Sequence, residues 1–153
     1  MKPPAKPITI LLADDDADDC FLTRQALEKV HLASHLHCVG DGEELLDYLL
    51  HRGHYANPKV APRPGVILLD LNMPKKHGHH ALQEIKAHPD LRRIPVVVLT
   101  TSRAEEDIVR TYDLGANSYI AKPVTFDGLV NVMKGLFKYW FEIVELPPHE
   151  RTD

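Results

Sequence analysis

The sequence predicts an α/β domain in which a doubly wound, five-stranded parallel sheet lies between helices on both faces. Three observations carry that prediction. Strand-like apolar runs and segments of helical spacing alternate about five times along the 153 residues, the pattern of successive βαβ units with right-handed crossovers. The runs at residues 66–69 and 96–99 are apolar at every position, as strands buried on both faces require. Four of the runs end on polar residues of different kinds: Asp14 and Asp15, Asp70, Thr100, and Lys122. Ligands of open parallel sheets sit beyond the carboxyl ends of the strands, so these side chains are expected to converge.

The elements follow in order. A first strand, Ile8 to Ala13, runs into Asp14-Asp15-Asp16, and a helix from Cys20 to Val30 follows with Phe21, Ala26, Leu27 and Val30 at helical spacing. The second strand, Leu36 to Val39, is interrupted by His37 and suits a sheet edge; Asp41 is placed to cap the next helix, Glu43 to Leu50. The third strand enters Asp70 and is followed by a helix from His79 to Ala87, spaced by Ala81, Leu82 and Ile85. The fourth, Ile94 to Leu99, enters Thr100 before a helix from Glu105 to Leu114, and the fifth, Ser118 to Ala121, enters Lys122-Pro123. Residues 51–65 make a connection far longer than the usual loop of about two to six residues. An ordered surface excursion is preferred there to a partner-docking loop.

The last helix is predicted from Phe126 to Leu146. One apolar stripe comprises Phe126, Leu129, Val130, Met133, Phe137, Trp140 and Val144, and beside it lies a second of Val132, Leu136, Tyr139, Ile143 and Leu146. So wide an apolar arc exceeds what a surface helix of a monomer needs. At about 1.5 Å per residue the helix would run about 30 Å, past the strands it covers. A twofold homodimer with Phe137, Tyr139, Trp140 and Ile143 at its interface is therefore expected, the alternative being a tail folded back over its own core.

Composition narrows the function. The formal net charge is -4 with no basic stripe, which argues against a nucleic-acid binder. No apolar run approaches the roughly 20 residues of a membrane span and the N-terminus lacks a signal-peptide core, so a cytoplasmic protein is expected. Cys20 and Cys38 lack Cys-x-x-Cys spacing and are read as ordinary packing thiols, not a disulfide.

The strand-end residues form a set suited to holding a phosphoryl group on a carboxylate. Crowded carboxylates disfavour one another's ionised forms unless a cation intervenes. Mg²⁺ suits them, with Asp15 and Asp70 as direct ligands, Asp14 through water and Asn72 through its backbone carbonyl. Asp70 is then the nucleophile that becomes an acyl phosphate, while Thr100 and Lys122 supply a hydroxyl and an ammonium to phosphoryl oxygens. Taken singly, each residue has a plainer reading: Asp16 or Asp18 as a helix cap, Thr100 as another, Lys122 as a solvated lysine. Capping does not account for two consecutive acids plus a third beyond a wholly apolar strand. His77, His79 and His80 cluster locally, but His79 and His80 point apart and no cysteine completes a metal set. Two rival chemistries fit less well. A haloacid-dehalogenase-type phosphatase wants a second Asp where Asn72 stands, and a flavodoxin-like FMN binder wants a hydroxyl- and Gly-rich loop where the chain has three acids.

Residues 10–15, Leu68-Leu69-Asp70-Leu71-Asn72-Met73-Pro74 with Gly78, Val98-Leu99-Thr100-Thr101, Gly115-Ala116 and Tyr119-Ile120-Ala121-Lys122-Pro123 together resemble a response-regulator receiver domain of two-component signalling. The long Pro-containing connection, Pro74-Lys75-Lys76, Leu99-Thr100-Thr101-Ser102 and Tyr139-Trp140-Phe141-Glu142-Ile143-Val144 resemble, more narrowly, the single-domain regulators that work with bacterial phytochromes. The resemblance implies a flavodoxin-like strand order 2-1-3-4-5, a receiver domain over residues 1–146 with an extended C-terminal helix, and a short tail over 147–153. It implies Asp70 as phosphoacceptor, Asp14 and Asp15 as the metal-binding pair, Thr100 and Lys122 as phosphate contacts, Tyr119 as an aromatic switch residue, and a cis Lys122–Pro123 bond. The implied partner is a sensor histidine kinase, with a bacterial phytochrome as the narrower implication. The implied activity is that of a phosphoacceptor which catalyses only its own phosphorylation and dephosphorylation, whether as a terminal regulator or as a relay intermediate. His77 departs from the small acid, amide or Met usual in related sequences.

Overall fold

The computed structural model describes residues 8–31, 35–71, 73, 78–101 and 104–138. Five parallel strands, β1 (Ile10–Ala13), β2 (Leu36–Val39), β3 (Val66–Leu69), β4 (Val96–Thr100) and β5 (Ser118–Ala121), lie in the order β2-β1-β3-β4-β5. The five helices are α1 (Ala17–Glu28), α2 (Gly42–Leu49), α3 (Gly78–Ala87), α4 (Glu105–Asp113) and α5 (Phe126–Lys138). Each expected element is present, with ends displaced by up to three residues at the start of α1 and up to two in the strands; the expected run of the last helix to Leu146 lies outside the described residues beyond Lys138. The central strands β1, β3 and β4 are buried at every position, whereas β5 is half-buried throughout and β2 is half-buried at its middle residues, as edges are.

Alternate strand residues feed two separate cores. Leu11, Ala13, Ile67, Leu69, Val96 and Val98 face α2 and α3, meeting Leu45, Leu49, Leu82 and Ile85. Ile10, Leu12, Val66, Leu68, Val97 and Leu99 face α1 and α5, meeting Ala26, Leu27, Met133 and Phe137. Local chemistry fixes the helix starts. Asp41 caps α2 by accepting from Glu44 N–H at 2.7 Å while the Glu44 carboxylate accepts from Gly40 N–H at 2.7 Å, and Asp16 caps α1 by accepting from Asp18 N–H at 2.8 Å. Gly115 follows α4 at φ 103°, a left-handed backbone that a side chain would strain.

The 51–65 connection is ordered, as expected, and pinned at several points. It contains a 3-10 turn at Gly53–Tyr55. Tyr48 Oη donates to Pro62 O at 2.7 Å, a His51 ring nitrogen sits 2.9 Å from Ala61 O, and the Arg63 guanidinium pairs with Asp90 at 2.9 Å.

Two expectations are corrected. Cys20 and Cys38 form a disulfide, with Cα atoms 6.5 Å apart. Eighteen residues separate them in sequence, and only the crossing of α1 over the edge strand brings them together, which spacing does not reveal. Phe137, expected at a dimer interface, is 3% exposed and packs in the domain's own core; the stripe it belongs to is the one that seats α5 on the sheet. Val132 and Leu136, from the second stripe, also pack against that core as partly buried residues. Tyr139, Trp140 and Ile143 lie outside the described residues.

Candidate functional site

The carboxyl ends of β1, β3, β4 and β5 bring the strand-end set together. Asp14 follows β1 and donates its N–H to Val39 O at 3.0 Å, while Asp70 follows β3 and donates to Ala13 O at 2.9 Å. Both acids are therefore fixed by extensions of the sheet ladder, and both are only 5% exposed. Asp15, beside Asp14, is exposed. Oxygen atoms of Asp14, Asp15 and Asp70 lie within 4.8 Å of one another.

Among the described residues, side chains at the ends of β4 and β5 donate to Asp70. Thr100 Oγ1, fully buried at the end of β4, donates to Asp70 Oδ1 at 2.9 Å. Lys122 Nζ donates to Asp70 Oδ2 at 3.3 Å. The Thr100 hydroxyl is thus turned to Asp70, and the residue at the N-cap of α4 is Ala104, which offers no side-chain bond. Lys122 reaches the site because its N–H donates to Thr100 O at 2.8 Å, holding the chain beside the end of β4. The Lys122–Pro123 bond is trans, not the cis bond that the resemblance implies; this backbone anchor directs the side chain over the sheet end without it.

Lys122 Nζ also pairs with Asp14 Oδ2 and Asp19 Oδ2, each at 2.6 Å. Burial opposes its charge, but the hydrogen bonds to Asp14 and Asp19 and the charges of Asp14 and Asp70 outweigh that and hold its pKa above the usual lysine value. Burial also pushes Asp14 up to about 6, against the pull of Lys122 and the Asp16 N–H, with the Asp70 charge adding to the rise. A lone ammonium thus leaves the acid pair under-compensated. All-oxygen donors on three clustered carboxylates, two of them buried, match a hard divalent cation.

Asp19 was not anticipated from the sequence. Its signal is its place one helical turn beyond Asp15 and Asp16, which returns it to the strand-end side of α1. Asn72 and His77 lie outside the described residues. His79 is buried, with a ring nitrogen 3.2 Å from Thr111 Oγ1, and His80 is exposed, so these two do not share a site. Tyr119 is half-buried and packs against the α2–α3 core. The register pairs Val98 with Tyr119 and Thr100 with Ala121, which puts Thr100 and Tyr119 on one face of adjacent strands.

Among known proteins, the chain matches the response regulator receiver domain over residues 10–134. It is 42% identical over 141 residues to response regulator Rcp1 of Synechocystis sp., covering 92% of this chain and 94% of that one. The solved structure of the phosphorylated cyanobacterial phytochrome response regulator RcpA superposes with a TM-score of 0.86 at 43% identity, covering 94% of this chain and all of the other. The Mn²⁺-bound form of Rcp1 superposes with a TM-score of 0.82 at 41% identity, covering 93% of this chain and all of that one. No helix among the described residues is long and apolar enough to cross a membrane. With its strand order, its acid cluster and these relatives in agreement, the chain belongs to the response regulator receiver domain family.

Proposed function

We propose that this protein is a cytoplasmic single-domain response regulator that accepts a phosphoryl group on Asp70 from a phosphohistidine of a sensor histidine kinase, a bacterial phytochrome in the first instance. The observation that supports it is the separate tethering of the two Asp70 oxygens by Thr100 and Lys122 beside two further acids. In the transfer, the P–N bond to the donor imidazole breaks, a P–O bond to an Asp70 oxygen forms, and the imidazole nitrogen regains a proton. Thr100 and Lys122, which now donate to the Asp70 oxygens, are placed to donate to phosphoryl oxygens as charge builds there. Asp14, Asp15 and Asp70 would hold Mg²⁺, with the Asn72 carbonyl as a further ligand; bound there, the ion supplies charge neutralisation for the acids and the phosphoryl group.

The output is a shift between two packings. Thr100 moves toward the phosphoryl group, Tyr119 turns into the space vacated beside β4, and the surface formed by α4, β5 and α5 changes. The apolar residues Tyr139, Trp140 and Ile143 supply the contacts of a homodimer that reads out this state. The deciding experiment is labelling with a phosphorylated kinase in Mg²⁺: intact mass rises by one phosphoryl group and hydroxylamine removes it. Labelling that persists in Asp70→Asn refutes the assignment.

A further inference from the structure

The first turn of α1 is strapped on two sides. Cys20 ties it covalently to Cys38 on the edge strand β2, and Asp19, the preceding residue, ties it electrostatically to Lys122 beyond β5. Adjacent helical residues point about 100° apart, so the two straps hold the turn between the sheet edge and the acid pocket. Both cysteines are half-buried. Both also pack against the core under α1 and α5 without being sealed in it. In a reducing compartment an accessible disulfide is exchangeable and regulatory more often than permanent.

We propose that Cys20–Cys38 is a thiol–disulfide exchange site that sets the availability of Lys122, so that reducing it speeds phosphoryl transfer to Asp70. The reductant is a dithiol: one of its thiolates attacks a sulfur of the pair to form a mixed disulfide, and its second thiolate releases it. Two electrons and two protons pass to Cys20 and Cys38, which end as thiols, and the dithiol becomes a disulfide. The consequence follows from Lys122 being shared. For its ammonium to serve a phosphoryl group on Asp70, it moves toward Asp70 Oδ2, now 3.3 Å away, and off Asp19, now 2.6 Å away. With the disulfide intact the turn carrying Asp19 is held against β2 and the ion pair must break. With the disulfide reduced the turn is free to follow Lys122 and keep the pair. Asp19 is a positioning residue here; it touches Lys122 and not the reacting atoms.

The coupling rests on the Asp70 reading, and the test separates the two. Full-length protein is oxidised with glutathione disulfide or reduced with dithiothreitol, freed of reagent, and treated with iodoacetamide. The reduced form is expected to take two carbamidomethyl groups and the oxidised form none. Each form is then given Mg²⁺ and acetyl phosphate, and labelling is followed by intact mass. The reduced form should label at least about threefold faster, the scale of one partly exposed ion pair. Cys38→Ser should match the reduced wild type; should that variant not fold, the wild-type arms decide alone. In Asp19→Asn the two redox forms should label at equal rates, which a disulfide serving only the fold would not bring about. Equal rates for the two wild-type forms, or a pair that dithiothreitol does not open in native buffer, overturn the proposal. Labelling of neither form, by acetyl phosphate or by the phosphorylated kinase, refutes the Asp70 reading and the coupling with it, while alkylation still reports whether the cysteines exchange.

Discussion

Lys122→Met removes the ammonium bridging Asp14, Asp19 and Asp70 and leaves a side chain of similar length. Breaking a buried pair by deleting one partner costs about 3–5 kcal/mol when the survivor stays charged. Asp14 need not stay charged. Its pKa, already raised to about 6 with Lys122 present, rises further without it, so near neutral pH the acid takes up a proton. A carboxylate whose folded pKa lies above its unfolded value costs stability at neutral pH and returns it as pH falls through the folded value. In the wild type that recovery begins near pH 6; in the variant it begins above pH 7. The destabilisation should therefore be about 1.4 kcal/mol smaller at pH 5 than at pH 7, the worth of about one pKa unit. Urea unfolding of both proteins at the two pH values, with divalent cations chelated, measures this directly. Titrating groups that make no contact with Lys122 cancel in the difference between the proteins, whereas Asp19 and Asp70 lose the same partner as Asp14. An equal loss at both pH values would show that Asp14 does not depend on Lys122 for its charge.

Four further outcomes are expected. Asp15→Asn should weaken Mg²⁺ binding strongly and Asp14→Asn less, since the Asp14 contact is expected through water; calorimetric titration measures both, and unchanged affinity in the pair refutes the metal site. Thr100→Ala removes the hydroxyl on Asp70 Oδ1 and should leave phosphorylation slower but present, while phosphorylation-dependent dimerisation in sedimentation is lost. Gly78→Ala sets a methyl 2.6 Å from Leu71 Cα and 2.7 Å from Asp70 O; overpacking on backbone predicts a loss of about 1–3 kcal/mol in urea unfolding, together with slower labelling of Asp70. Ile143→Glu should lower dimer affinity at micromolar concentration without altering the rate of Asp70 labelling, and a variant that sediments like wild type in both states removes this residue from the interface.

The legibility of the fold follows from the burial of its sheet. Val66–Leu69 and the run ending at Leu99 are apolar at every position because both faces are covered, and such runs announce a central parallel strand without reference to contacts. The site was legible for the same reason: β1 and β3 end in register and β4 runs past them to Thr100, so Asp14, Asp70 and Thr100 had to meet once the strand order was right. What stayed hidden depended on how helices cross the sheet. Asp19 joins the pocket and Cys20 reaches β2 only because of the position of α1 over the sheet; helical spacing from Asp15 and Asp16 pointed to the first, and no spacing pointed to the second. Phe137 carried the opposite difficulty. An apolar residue in a wide helical arc has two ways to be buried, and the packing of α5 against β1, β3 and β4 decided for the domain's own core.

The resting electrostatics of the pocket show why an external cation belongs to it. One ammonium faces the carboxylates of Asp14, Asp19 and Asp70, with Asp15 alongside. Lys122 cannot neutralise them all, and burial holds the Asp14 pKa up in spite of it, with the Asp70 charge adding to the rise. A phosphoryl group on Asp70 would bring further negative charge into this same space. Without more positive charge its arrival would force either protonation of Asp14, which removes a metal-ligating charge, or withdrawal of Lys122 from Asp14 to Asp70, which leaves a buried carboxylate poorly paired. A divalent cation on the acid cluster removes that conflict and leaves Lys122 for the phosphoryl oxygens. Asp19 is the remaining competitor for the ammonium. Because it is half-exposed, water can take over its solvation at smaller cost than for either buried acid, so Asp19 is the partner that Lys122 gives up first.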